Sequence, residues 1–526
     1  TIFKNIMNYN SRDNYFLFPL LLLFPLSLIS GPLIPELIMN TVSILFVIRL
    51  IKNKHIKILH VNFFYYYLIF VIYIILNAYF SPYRNEIFFK NLFYFRFLIF
   101  IFAVYYIFLI NYKIINLLYY TLILMFSVLI LDGFTEFLFG ENLLGNSSTK
   151  RPDRIASLFG DKLVLGSFLA KFFFLTLGLF FFIDIKNKIL KYYSLILIFL
   201  AFILIFLSGE RAAFISTSIG VIIFFICANF SIYKKIFSFS VLIFAVGIIL
   251  LNNNTIYERH IKQTVQQVNF NIFDRDKNFF NRLAYYKMTY QTAYNAFSLK
   301  KIFGYGPKSF RQFCSVDGIA TIIINGRREE NKKLTFLADR KNSTMKITEL
   351  YVSEKDNISI NDLILTYKYK DIFYEFRSNR EGIVKELFVK SGDFIENYHV
   401  LLNLDISQTG IPEFTTYDKN GCTTHPHNFY LQLLSETGIV GTLFILLNFL
   451  YLLAILTKFL YRKLFKNVVE LNNPQICLII NFIVFLFPLL PNGNFFNNWL
   501  NMTILIQISF YLFIFNKDKL MYVDQK

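Results

Sequence analysis

The sequence predicts an all-α polytopic membrane protein of about twelve transmembrane helices, with a large external segment that contains a small all-β barrel-sandwich-like insertion. Two features of composition and one of pattern lead there. Of 526 residues, 56% are apolar and 19% aromatic, whereas 17% are charged. A water-soluble domain needs more polar residues to cover itself, and a disordered chain has far fewer apolar ones. The apolar residues also gather into runs long enough to cross the ~30 Å hydrocarbon core, and only a helix satisfies its own backbone there.

Five of these runs come first, at Tyr15–Ile29, Pro32–Ile48, Phe63–Phe80, Phe93–Ile110 and Ile114–Leu131. Four follow at Leu163–Ile183, Tyr192–Leu207, Ala212–Ala228 and Ile236–Leu251, and the last three at Phe429–Leu456, Ile476–Leu490 and Trp499–Phe515. Residues 1–251 therefore hold helices one to nine, 252–428 a large external segment, and 429–526 helices ten to twelve with a cytoplasmic tail.

Lys and Arg collect in every second connection: Arg49, Lys52, Lys54 and Lys57; Lys113; Lys186, Lys188 and Lys191; Lys234 and Lys235; Arg462, Lys463 and Lys466. Cytoplasmic loops keep such residues, which places both termini in the cytoplasm. The excess of 53 Lys and Arg over 34 Asp and Glu, +19, is then partly a topology signal and no argument for nucleic acid. No cleavable signal peptide is read ahead of the first run, and Thr1 leaves the natural start open.

Within the large segment, Leu334 to Leu404 turns polar and strand-like, with alternating apolar residues. Two stretches, Lys346–Leu365 and Val384–Leu402, each read as strand, turn at an acidic position (Asp356, Asp393), and second strand. This resembles the pseudo-twofold β-sandwich of biotinyl and lipoyl domains, also found in membrane-fusion adaptors. Carrier members take a prosthetic group on a hairpin-tip lysine. Here Tyr367–Asp371 has lysines without the signature flanks, which favours a binding or spacing module with a surface for a protein partner.

Cys227 and Cys477 fall inside predicted spans as small apolar filler. Cys314 and Cys422 bracket the β insertion, and an oxidising compartment would let them form a disulfide; two unpaired thiols are the other reading. Of six histidines, His55, His60, His260 and His399 read as solvated side chains. His425 and His427 differ, because they open a hydrophobic helix, with Pro426 at a position suited to its first turn. On a continuous helix Leu431, Leu434, Gly438 and Gly441 fall on the His427 face, so two glycines would clear a groove beneath the ring. Asn428, Gln432 and Ser435 form a second stripe beside it. The positive end of the helix dipole biases such an imidazole toward its neutral form, as a general base requires.

At this point the sequence resembles the O-antigen ligase and polymerase family of bacterial envelope glycosyltransferases. The family signature, His then Asn or Ser, nine residues and Gly, is matched by His427, Asn428 and Gly438. Three further stretches are similar to the family: Arg151–Ser167, Ser208–Ala213, and Arg282–Tyr286 followed by Ile302–Gly306. Family sequences often have Gly after Ser157 and an acidic residue where Lys162 stands, and the β insertion is unusual among them.

The resemblance implies transfer of a glycan from undecaprenyl diphosphate, the lipid-linked donor, to an acceptor hydroxyl of lipid A core or glycan. The reaction would take place on the periplasmic face of the bacterial inner membrane, among membrane lipids. His427 would be the catalytic base, supported by Asn428, Gly438, His425 and Glu436. Arg154, Arg211 and Arg282 would hold the departing diphosphate, since guanidinium groups bind phosphate in a bidentate manner. Arg211 is the best placed, because charge in so short a connection is costly unless it faces a wet cavity or a partner; pairing with Glu210 or snorkelling to lipid phosphate is the other reading. His425 and His427 are two apart and no DxD-like pair accompanies them, so the expected reaction is metal-independent, uses no cofactor and inverts the anomeric centre. The polymerase of the same family and a polysaccharide transporter or flippase remain the alternatives.

Overall fold

The computed structural model describes residues 14–53, 56–146, 154–160, 162–268, 282–316, 333–336, 344–369, 372–378, 381–396, 399–405 and 422–523. The chain divides into two units, one of residues 1–270, 292–319 and 423–526, the other of 271–291 and 320–422.

The first unit is helical. Among the described residues nine helices are long and apolar enough to cross a membrane: Leu33–Lys52, Asn62–Tyr79, Arg84–Ile110, Lys113–Phe139, Leu165–Phe182, Lys188–Leu207, Ile232–Asn252, Phe429–Phe465 and Asn498–Asn516. Three shorter apolar helices, Leu17–Ser30, Arg211–Cys227 and Asn473–Phe485, fall on the other three expected spans. Leu165–Phe182 sits centrally, packed on Lys188–Leu207, Arg211–Cys227, Asn473–Phe485 and Asn498–Val523. The apolar bulk is largely aromatic, with Phe97, Phe100, Phe126, Phe168, Phe172, Phe174 and Phe206 fully buried. Ile232–Asn252 buries none of its residues and so keeps a lipid-compatible surface on all sides.

Of the boundaries that differ from expectation, two have identifiable reasons. The fifth span, expected to stop at Leu131, runs to Phe139 because the acids of its last turns have partners. Asp132 accepts from Ser157 Oγ at 2.6 Å and from Leu143 N at 2.9 Å. Glu136 accepts from the backbone N–H of Ala156 and Ser157. The eleventh, expected through Leu490, stops at Phe485, ahead of Pro488, which lacks an N–H to continue the ladder. The freed carbonyls of Leu486 and Pro488 are taken by Tyr430 Oη (2.8 Å) and Asn428 Nδ2 (2.7 Å).

Among the described residues the second unit contains eight strands: β1 (Lys333–Thr335), β2 (Met345–Leu350), β3 (Asn357–Ile358), β4 (Leu363–Tyr369), β5 (Ile372–Arg377), β6 (Gly382–Leu387), β7 (Phe394–Ile395) and β8 (Val400–Asp405). They form two antiparallel four-stranded sheets, ordered β1-β8-β6-β3 and β5-β4-β2-β7. Both sheets contribute to one core that includes Leu334, Met345, Ile347, Ile364, Val384, Ile395 and Leu402.

The two halves of this unit repeat one another. Asp356 Oδ2 accepts from Ser353 N and Asp393 Oδ2 from Lys390 N, both at 2.7 Å, so each acidic position closes a turn. Each turn is then bonded by the opposite half. Lys355 N donates to Val384 O (2.7 Å) and Val384 N to Asp356 O (2.8 Å). In the mirror set Gly392 N donates to Ile347 O and Ile347 N to Asp393 O, both at 2.9 Å. The hairpin expected at Tyr367–Asp371 joins β4 to β5, with Lys370 and Asp371 outside the described residues.

Candidate functional site

His427 does not belong to the helix that follows it. Asn428 is the N-cap, and its side-chain oxygen accepts from Tyr430 N (3.0 Å) and Leu431 N (3.1 Å), two N–H groups that the first turn leaves without partners. Pro426 therefore lies two residues ahead of the cap, not in the first turn. His427 adopts a left-handed backbone (φ 55°), and its carbonyl accepts from Asn492 N at 2.9 Å. Its ring lies 4.2 Å, centroid to centroid, from that of His425, and both are half-buried. Thr424 Oγ1 stands 3.0 Å from His425 Nδ1. Burial and the neighbouring His427 hold the His425 imidazole down at about 3, so it stays neutral at ordinary pH.

The expected groove on a continuous helix is absent, because the helix Phe429–Phe465 is broken at Gly438 (φ 63°, ψ −165°). Into that break runs the backbone of Ile302–Gly306. Ile439 N donates to Lys301 O (2.9 Å) and Val440 N to Ile302 O (3.3 Å); Tyr305 N donates to Ser435 O (3.1 Å) and Gly306 N to Glu436 O (2.7 Å). A Cβ on Gly438 would stand 2.2 Å from Ile302 O, and one on Gly304 would stand 2.5 Å from Glu436 C. Each glycine thus clears the path of the other's backbone, which is the structural content of two of the motif stretches. Glu436 is fully buried and accepts from Lys308 N (3.0 Å), Phe310 N (2.9 Å) and Gln432 Nε2 (3.2 Å). Its role is to hold the inserted segment in place.

The other two motif stretches meet in the same way. A Cβ on Gly166 would come within 2.2 Å of Ser208 Oγ, so the glycine admits the Ser208–Arg211 turn. Glu210, on that turn, accepts from Gly166 N (2.8 Å) and Ser167 N (3.3 Å) at the start of the helix Leu165–Phe182. Burial raises its carboxyl above the ordinary range, and Arg154 is the foremost group pulling it back. Arg154 is buried, lies 3.9 Å from Glu210 Oε1 and donates to Leu163 O at 2.9 Å. Arg211 donates to Thr264 Oγ1 at 2.9 Å. The structure thus brings Arg154 and Arg211 to one turn, with an ion pair between Glu210 and Arg154.

Several residues at this turn escaped the sequence reading. Arg259 is buried and donates through Nε to Gly209 O at 3.2 Å. His260, expected as a solvated side chain, is buried against the Phe206 ring at 4.4 Å with Nε2 2.9 Å from Phe206 O. Burial, with Arg259 and Arg211 adding to it, pushes its imidazole down to about 4. His60 and His399 are exposed, while His55 lies outside the described residues. Lys171 sits in the helix Leu165–Phe182 with its ammonium 5.6 Å from the Trp499 ring centroid. It is the one charged residue of the expected sixth span, a signal open to reading from the sequence alone.

Residues 486–497 join the two clusters. Asn492 binds the His427 carbonyl, Asn494 and Phe495 bind Gln432, and the chain then reaches Trp499 beside Lys171. From Asn492 to Trp499 a chain spans at most about 25 Å. Arg282 opens the helix Arg282–Leu299, and its side chain lies outside the described residues. Cys314 and Cys422 are disulfide-bonded, whereas Cys227 and Cys477 are buried free thiols.

A helical bundle with buried and half-buried cations at the ends of its helices defines a polytopic membrane protein with a polar site in an apolar frame. Residues 196–323 are similar to the family model described as O-Antigen ligase, which supports a function of the ligase or polymerase type in general. No curated protein matches the chain.

Proposed function

We propose that the protein is a glycosyltransferase that moves a glycan from undecaprenyl diphosphate to an acceptor hydroxyl, of lipid A core in the ligase reading, on the periplasmic face of the inner membrane. The observation that carries this reading is the meeting of Arg154 and Arg211 at the turn anchored by Glu210, in an apolar frame where a diphosphate would be strongly held. The acceptor oxygen attacks the anomeric carbon, the bond from that carbon to the diphosphate oxygen breaks, and the diphosphate leaves with the electron pair. His427 takes the hydroxyl proton, with its backbone fixed by Asn492 and its ring against a neutral His425. Arg154 and Arg211, with Arg282, stabilise the charge that builds on the leaving group. Direct displacement inverts the anomeric centre and uses no metal.

The test is transfer by the purified protein with defined lipid-linked donors and candidate acceptors, in wild type and His427→Ala. Full activity in the variant removes the mechanism. Growth of glycan repeats on one another, in place of transfer to lipid A core, would assign the polymerase reaction instead.

A further inference from the structure

Lys171 has the features of a ligand-binding residue in a place where an unengaged charge is costly. Its helix starts at Leu165, so the residue lies about 9 Å along the axis from that end. Side chains on a helix tilt toward the N-terminus, which directs this ammonium back toward the Ser208–Arg211 turn. The backbone is fixed, since Gln507 Nε2 donates to Lys171 O at 2.9 Å and Phe168, one turn earlier, stacks on Trp499 at 5.9 Å. Among the described residues the ammonium makes no hydrogen bond and no ion pair; its neighbours are the Trp499 ring and, through charge alone, Glu210. Glu210 is itself engaged by Arg154 and two backbone N–H groups. A half-buried lysine in a membrane span faces a partner or a wet cavity, and here it is coupled through charge to Glu210, the carboxylate that Arg154 faces at 3.9 Å.

We propose that Lys171 is a further donor-binding residue, whose ammonium takes a phosphate oxygen of a membrane-embedded prenyl diphosphate alongside Arg154 and Arg211. This rests on the reading of the arginine cluster as a diphosphate site. Trp499 is the only tryptophan of the chain, so its emission reports on this position directly. The full-length protein in lipid nanodiscs is titrated with farnesyl diphosphate, and with farnesol as the uncharged counterpart. The diphosphate, and not the alcohol, changes Trp499 emission in the wild type. Lys171→Gln weakens the apparent affinity about tenfold or more, the loss of one charge-assisted hydrogen bond, and Lys171→Arg keeps it within about threefold of wild type.

Lys171→Met, an apolar replacement compatible with lipid, serves as the second loss-of-charge variant if the Gln variant does not fold. Thermal unfolding of every variant is followed in the same discs. Equal affinity in wild type and in the Gln or Met variant, or a lowered unfolding midpoint with unchanged affinity, overturns the assignment of Lys171 while leaving the diphosphate reading in place. Absence of diphosphate binding to the wild type, by emission and by equilibrium dialysis, overturns that reading as well.

Discussion

Gly438→Ala probes the break in the Phe429–Phe465 helix. At φ 63° and ψ −165° the residue occupies a region open in practice to glycine alone, which costs any other residue about 1 to 3 kcal/mol. The new methyl would also lie 2.2 Å from Ile302 O, 2.3 Å from Ile302 C and 2.6 Å from Phe303 N. These are backbone atoms, which cannot rotate away as a side chain can. Relief requires the inserted segment to withdraw, and four backbone hydrogen bonds cross that junction. At about 1 kcal/mol each they bring the expected destabilisation to about 5 to 7 kcal/mol. Unfolding is followed with a thiol-reactive dye, since the buried free thiols of Cys227 and Cys477 become accessible only when the bundle opens. A fall in midpoint of about 10 °C is expected, with loss of transfer. Gly247→Ala is the control, because its Cβ meets nothing within 4 Å, and it should be neutral or slightly stabilising. A Gly438→Ala protein with wild-type midpoint and turnover would refute the interlock.

His427→Ala should lower transfer by about 10²- to 10⁴-fold while leaving the unfolding midpoint unchanged, as measured with the lipid-linked donor. Glu210→Gln removes the carboxylate that Arg154 faces at 3.9 Å in a largely buried setting, with an expected cost of about 3 kcal/mol; an unchanged midpoint would mean that the pair contributes nothing. His260 gives an acid-sensitive contribution to stability. Its imidazole is held at about 4 in the folded protein against 6.5 ordinarily, so between those values the unfolded chain takes up the proton first. The stability is present above pH 6.5 and is lost as pH falls toward 4, by about 3 kcal/mol in all. His260→Phe should flatten the unfolding midpoint over that range, and an unchanged pH slope would count against the assignment.

The helical plan was readable because hydropathy is a local property, and each expected span coincides with an apolar helix. The break at Gly438 was not, since Phe429 to Leu456 reads as one apolar span despite Gln432, Ser435 and Glu436, and the residues that force the kink, Ile302 to Gly306, lie more than a hundred positions away. His260 misled for the same reason: nothing nearby in the sequence announces that Phe206 will cover it. Arg154, Arg211 and His427 stood out by residue type and spacing, whereas Glu210 entered only as a neighbour of Arg211. Its task, joining two segments through the Gly166 and Ser167 N–H groups, is visible only in three dimensions. Lys171 stands in the sequence as a lone cation in an apolar run, yet it was not singled out there.

The β unit has a consequence for biogenesis. Lys355 and Asp356 are bonded by Val384, while Gly392 and Asp393 are bonded by Ile347, so each half supplies backbone partners to the other's turn. A nascent chain that holds only the first repeat lacks the Val384 partners of the Lys355–Asp356 turn. Val400–Asp405 pairs with both Lys333–Thr335 and Gly382–Leu387, so that sheet is complete only once this strand is present.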